Sequence, residues 1–153
     1  MQHFVTKWIK KCLLTEKILF CRKHSMTETC SLCNQCIENL THILQCNHQL
    51  VSNTWIDSTT TLSNWLRRQD TDPTIQEIII NSITARDFNS TLILTPIPQS
   101  RDHVIALSTQ TLIGWENFLL GYLSTHLVFI QHSYYQLIGS RGTGAQWGTS
   151  LIK

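Results

Sequence analysis

Charge is scarce in this 153-residue chain: Asp, Glu, Lys and Arg together make up 14 % of it, and the formal net charge is only +2. That excludes a polycation that would coat nucleic acid along its whole length. Long apolar runs are missing too. None approaches the roughly 18 residues a membrane span needs. The richest stretch, FLLGYLSTHLVFI, is interrupted by Gly121, Ser124, Thr125 and His126. No membrane partner is therefore expected. The leading MQHFVTKWIKKC has no signal-peptide h-region, so an intracellular, reducing compartment is expected, with nucleus and cytoplasm both open.

Catalytic patterns are also wanting. No His-x-Glu precedes a cysteine pair, as a zinc deaminase requires. Asp57, Asp70, Asp72, Glu77, Asp87 and Asp102 show no paired spacing for a two-metal nuclease. The glycines near the end have no preceding strand and no following Lys-Ser/Thr, so they form no phosphate-cradling loop. A thioredoxin-like Cys-x-x-Cys needs a βαβ setting that this pattern lacks. The expectation is a protein that is not an enzyme and has no small-molecule substrate.

What is present is helical periodicity, hydrophobic content of 42 %, and a cluster of soft ligands. The pattern predicts a mainly α chain with a small Cys/His module near its N-terminus. Residues 1–50 read as a basic helix followed by that module, 51–95 as a helical segment, and 99–153 as long helices with a Gly-rich tail. Apolar spacing predicts a helix over 4–22 with a break near Leu14–Thr15. A second is expected over 48–69, weakened or split at DSTTT. A third starts at Asp72 and Pro73, with Ile75, Ile78, Ile79 and Ile83 as its stripe. Pro96 and Pro98 make 89–101 a connector. From Val104 to Ile138 the period near 3.5 residues predicts one long helix, or two meeting near Gly114 or Gly121. The tail GSRGTGAQWGTSLIK reads mainly as a flexible connection, with a short last helix through Trp147 and Leu151. The tryptophans sit at stripe positions and are expected in cores. The isolated histidines, His103 among them, are expected on the surface or satisfied by neighbours.

The stretch TETCSLCNQCIENLTHILQCNH holds four of the six cysteines. Cys30 and Cys33 stand at the ends of a tight turn. His42 and Cys46 are four apart on a segment, IENLTHILQC, that reads as a short helix, so they face one way. Two thiolates on a turn and an imidazole plus a thiolate on a helix make a tetrahedral set suited to zinc. Alternatives stay open: Cys36 forms a second Cys-x-x-Cys with Cys33, and His48 can stand in for His42. Cys12 and Cys21 lie among apolar residues and are expected to be buried. A structural zinc is worth about 10–16 kcal/mol apparent, against about 2–4 kcal/mol for a disulfide, so it decides whether such a segment is ordered.

Charge is uneven as well. Residues 1–29 carry six basic groups, Lys7, Lys10, Lys11, Lys17, Arg22 and Lys23, against Glu16 and Glu28. The remainder is slightly acidic. A basic leading segment suits an anionic partner, RNA or single-stranded DNA, contacted through phosphates.

Together, KWIKKCLLTEKILFCRKHSMTETCSLCNQCIENLTHILQCNH resembles the zinc-binding segment C-terminal to the polymerase in non-LTR-type retrotransposon reverse transcriptase proteins. The shared features are a Trp-containing helix (Trp8), a turn at Leu14–Thr15, Thr27 before Cys30 and Cys33, and Glu38 before His42 and Cys46. LIGWENFLLGYLS and GTGAQWGTSLI resemble the helical tail that follows in some retroelement-derived proteins. The resemblance implies zinc on Cys30, Cys33, His42 and Cys46, a mobile-element origin, and a role near nucleic acid. Departures are Leu14 where proline is expected, a less basic tail, Leu127 in place of an aromatic, and no Tyr-x-Asp-Asp. Polymerase activity is therefore not implied, and a detached C-terminal piece of such a protein is expected. The alternative is a zinc-stabilised protein-interaction module that packs its 104–138 stripe on a reverse transcriptase body or another partner. A cysteine-dependent redox enzyme is a third reading.

Overall fold

The computed structural model describes residues 15–85 and 100–152. The helical fold expected from periodicity is what is found. Among the described residues there are eight helices, and the only extended pairing is a single antiparallel bridge, Thr29–Ile37. The chain divides into two compact units at Ile56/Asp57.

The first unit holds α1 (Glu16–Cys21), the bridged hairpin, α2 (Leu40–Gln45) and the opening turns of α3 (Gln49–Arg68). Thr15 caps α1, its hydroxyl accepting the Ile18 N–H at 3.3 Å. The helix ends in a Schellman arrangement: His24 N–H donates to Leu19 C=O and Lys23 N–H to Phe20 C=O, each at 2.9 Å. Lys23 takes φ +61° where glycine is usual. Asn39 caps α2 by accepting the His42 N–H at 2.8 Å. Helix α2 is therefore shorter than expected: Ile37, Glu38 and Asn39 belong to the hairpin, and Cys46 is the non-helical C-cap. Cys21, expected to be buried, is exposed. The expected helix from residue 4 and Cys12 lie, up to residue 14, outside the described residues.

Helix α3 runs unbroken through DSTTT. Thr54 and Thr61 turn their hydroxyls onto the carbonyls of Leu50 and Asp57, one turn back, so these side chains do not compete with the helix for its own amides.

The second unit holds the rest of α3, then α4 (Pro73–Thr84), α5 (Arg101–Ile113), α6 (Trp115–Leu119), α7 (Thr125–Leu137) and α8 (Gly144–Ile152). Helix α4 starts as read: Pro73 opens it and the Asp72 carboxylate accepts the Thr74 and Ile75 N–H groups. Its four predicted isoleucines are all buried. Helix α7 packs on both α5 and α8, and α5 also touches α4 and α6.

The region 104–138 is three helices rather than one or two. The chain breaks at both glycines, with φ +97° at Gly114 and +91° at Gly121. Gln110, fully buried, bridges the breaks: its amide donates to Tyr122 C=O at 3.2 Å, and its Oε1 accepts the Ser124 N–H at 2.8 Å. Buried Gln131 does the same for the turn before α4, accepting the Asp72 N–H and donating to Asp70 C=O. Tyr135 and Trp147 add bonds to Gln69 C=O at 2.6 Å and to the Thr71 hydroxyl at 2.9 Å.

The apolar stripe holds at Trp115, Phe118, Leu127 and Ile130, which are buried, and fails elsewhere. Ala106 and Gln110 face inward on α5, while Leu112 is 87 % exposed; on α7, Gln131 and Tyr135 are buried and Leu137 is 83 % exposed. The short last helix expected through Trp147 and Leu151 forms, and the tail is packed through Trp147 rather than a flexible connection. A Cβ on Gly144 would lie 2.0 Å from the Val128 carbonyl oxygen. Glycine there lets α8 approach α7 backbone to backbone.

Candidate metal centre

The hairpin that carries the first two ligands is tied at its base. Cys30 N–H donates to Cys36 C=O at 2.8 Å, and Glu38 N–H to Glu28 C=O at 2.9 Å. Asn34 closes the loop, its N–H bonding Cys30 C=O at 2.8 Å with φ +53°, a conformation asparagine tolerates. This loop is the tight turn that the Cys-x-x-Cys spacing predicts. Helix α2 then presents His42 from its first turns and Cys46 from just past its end.

The four donor atoms of Cys30, Cys33, His42 and Cys46 all lie within 4.8 Å of one another. Cys30 Sγ is 4.0 Å from Cys46 Sγ, and Cys33 Sγ is 3.4 Å from His42 Nε2. Metal–sulfur bonds of about 2.3 Å and metal–nitrogen bonds of about 2.0–2.1 Å in a tetrahedron put sulfurs about 3.8 Å apart and sulfur and nitrogen about 3.5 Å apart. The observed separations fit that figure, and the four side chains are positioned to bind a metal ion.

Burial divides the set. Cys30 and Cys46 are each 2 % exposed, while Cys33 and His42 are half-buried. Among the described residues of this unit, only Thr15, Cys30 and Cys46 are fully buried. Among those residues the ligand cluster is where burial concentrates. Burial pushes the Cys30 thiol up to about 11. The backbone N–H groups of Gln35 and Cys36 bond to Cys33 Sγ and hold its thiol down to about 6. Such amide–thiolate bonds favour the charged form, which is the form that ligates.

Cys36 is exposed and its thiol stands outside the cluster; only its main chain takes part, the carbonyl accepting the Cys30 N–H and the N–H bonding to Cys33 Sγ. His48 is outside it too, its Nδ1 accepting the Leu50 N–H at 3.3 Å at the start of α3. Of the six basic residues, Lys17, Arg22 and Lys23 are exposed on and just after α1. Lys7, Lys10 and Lys11 lie outside the described residues. His103 is satisfied in the second unit, its Nε2 3.1 Å from an Asp72 oxygen. Trp115 and Trp147 are core residues, and Trp55 and Trp65 are half-buried.

Sequence reading gives Glu38 no structural part. Its carboxylate accepts the Glu16 N–H at 3.1 Å and its carbonyl accepts the Lys17 N–H at 3.3 Å. No local pattern announces a bond across 22 residues. Gln131 does carry a signal in the sequence, since it stands one helical turn from Leu127 on the inward face. Among the described residues, no helix is long and apolar enough to cross a membrane. The chain matches no protein-family model, no curated protein and no solved structure.

Proposed function

We propose that this chain is a non-catalytic, zinc-binding accessory module that associates with nucleic acid, derived from the region C-terminal to the polymerase of a retrotransposon reverse transcriptase protein. The observation that carries the reading is the convergence of three thiols and one imidazole from a hairpin and a following helix. A tetrahedral set of three sulfurs and one nitrogen suits zinc among the common ions. Four protein ligands leave no position for a reacting water, which supports a structural site rather than a catalytic one. In a unit whose described residues bury almost no apolar side chains, zinc would supply folding energy.

The chain's own residues do the rest. The hairpin and α2 meet at the ligands, and α1 is hydrogen-bonded to the same hairpin. Lys17, Arg22 and Lys23 project into solvent from α1 and its C-terminal turn, where they can meet phosphates of RNA or single-stranded DNA. Lys7, Lys10 and Lys11 extend the same charge in sequence. The spacing from Thr27 through Cys46 supports the mobile-element origin, and an intracellular, reducing location goes with reduced thiols at a metal site.

The test is elemental analysis of the purified chain followed by fluorescence anisotropy with RNA and single-stranded DNA oligonucleotides across a salt series. One zinc per chain and binding that weakens steeply with salt are expected. Absence of binding at low salt removes the nucleic-acid part.

A second reading, a zinc-stabilised module that docks on a reverse transcriptase body or another protein, draws on the exposed apolar residues of the second unit. Leu112, Phe129 and Leu137 are 87 %, 62 % and 83 % exposed. Self-association of the isolated chain, relieved by Leu137→Lys, together with no oligonucleotide binding, favours this reading.

A further inference from the structure

Helix α1 has little of its own to hold it. It is six residues long and fully buries none of them. A helix of that length does not persist alone in water. Yet it carries or borders Lys17, Arg22 and Lys23, the described part of the basic segment.

Two bonds join its first turn to the hairpin, and both end on Glu38. The carboxylate accepts the Glu16 N–H at 3.1 Å and the main-chain carbonyl accepts the Lys17 N–H at 3.3 Å. A carboxylate at a helix N-terminus is also favoured by the helix dipole.

Glu38 occupies a special place in the chain. On one side is Ile37, bridged to Thr29 beside the Cys30 ligand. On the other is Asn39, which caps the helix bearing His42. Its own N–H is tied to Glu28 C=O at 2.9 Å. The residue is thus the joint between the two halves of the ligand set. When an ion pulls the hairpin thiols and the α2 ligands together, the Glu38 backbone is fixed from both sides. Without the ion, the two halves are free to separate about that joint.

We propose that Glu38 is a positioning residue that transmits metal occupancy to α1, so that binding of the ion sets where Lys17, Arg22 and Lys23 stand. The proposal rests on the reading of this site as a zinc module that faces nucleic acid. It adds a regulation to that reading: phosphate contact by α1 depends on the metal through one residue that does not ligate the metal.

The experiment is amide hydrogen exchange by NMR on the full chain loaded with one equivalent of Zn(II), with Glu38→Ala and Glu38→Gln compared, and oligonucleotide anisotropy on the same samples. In Glu38→Ala, zinc stays bound at one per chain, weakened by no more than the severalfold that reciprocal coupling to α1 requires, since no ligand is touched. The Glu16 amide exchanges on the order of tenfold faster, the loss expected for one hydrogen bond to a charged acceptor, while the Lys17 amide, whose acceptor is the Glu38 main-chain carbonyl, changes less. RNA affinity falls severalfold. Glu38→Gln keeps an acceptor and restores most of the protection. Stripping zinc from the wild-type chain speeds the same amides.

Unchanged α1 exchange in Glu38→Ala overturns the proposal. So does loss of the metal in that variant, because Glu38 would then be holding the ligand hairpin itself. Failure of Glu38→Gln to restore protection removes the hydrogen bond as the link, and RNA affinity that stays at the wild-type level while α1 loosens removes the effect on binding. If wild-type chain binds no oligonucleotide yet the exchange pattern holds, the nucleic-acid reading fails and the Glu38 link stands.

Discussion

Cys30 and Cys36 are both cysteines three residues from Cys33, and the fold gives them opposite fates. Cys30 points into the cluster and is buried; Cys36 is exposed and lends the hairpin its carbonyl. Cys30→Ser should therefore lose the bound ion, whereas Cys36→Ser should keep one per chain, as read by elemental analysis after gel filtration. The same residues set a pH dependence. Ligation requires thiolates, so protons compete with the ion and affinity falls as pH falls. At pH 7 Cys33, held down to about 6, is already largely thiolate, but Cys30, pushed up to about 11, must release its proton on binding. These two thiols alone make log affinity rise by about one per pH unit between pH 7 and 9, and by about two per unit below pH 6. A competitive chelator titration across pH measures this. A flat profile would mean that Cys30 is not a ligand.

Helix boundaries are set by two kinds of signal. Local ones work: Asp72 with Pro73 starts α4 where expected, because a cap and its amides lie within three residues. Interior ones mislead. The period near 3.5 residues runs straight through Gly114 and Gly121, so periodicity alone does not see that the chain turns there. Two buried glutamines hold turns in this unit, and their removal should be costly. Gln131→Leu leaves the Asp72 N–H and Asp70 C=O without their partner and should cost about 2–4 kcal/mol, as buried polar groups left unmatched do. Chemical denaturation measures it, and a change under about 1 kcal/mol on that scale would show that water replaces the amide readily. Gly144→Ala should destabilise by about 1–3 kcal/mol through overpacking, since the new Cβ meets backbone that cannot yield locally. Gly148→Ala should cost less, because its neighbours at 3.3 Å are the ends of the Leu123 and Val128 side chains.

Each unit has a different source of order. The second buries Leu66, Ile75, Ile79, Ile83, Trp115, Leu127 and Trp147 around its helices. The first, over its described residues, buries two ligand thiols and one cap hydroxyl. A strong chelator at pH 7 should therefore melt α1 and α2 while leaving the second unit's cooperative thermal transition within a few degrees of its original midpoint. Far-UV dichroism reports the first change and Trp115 and Trp147 fluorescence the second. Collapse of both together would show that the apolar unit depends on the ion. Salt completes the picture at this scale. Six phosphate contacts give a slope of log affinity against log salt near about −4 for a single strand, and the three on and beside α1 give about −2. The measured slope tells how much of the leading basic segment takes part.

The sequence by itself determined the helical class, the start and inward face of α4, and the short Cys/His segment within which the ligands lie. Each of these is encoded within a few residues: an i, i+3, i+4 stripe, a cap next to its proline, two short ligand pairs. Tertiary structure alone decided that Cys30 and not Cys36 joins the cluster, that Gln110 turns inward while Leu112 and Leu137 stay exposed, that the last short helix packs backbone to backbone at Gly144, and that Glu38 anchors α1. Those outcomes depend on bonds between residues far apart in the chain, 22 apart for Glu38 with Glu16 and 76 apart for Trp147 with Thr71. Their partners are chosen by which backbone groups a finished turn leaves unpaired in a buried place, and that choice does not exist until the helices have met.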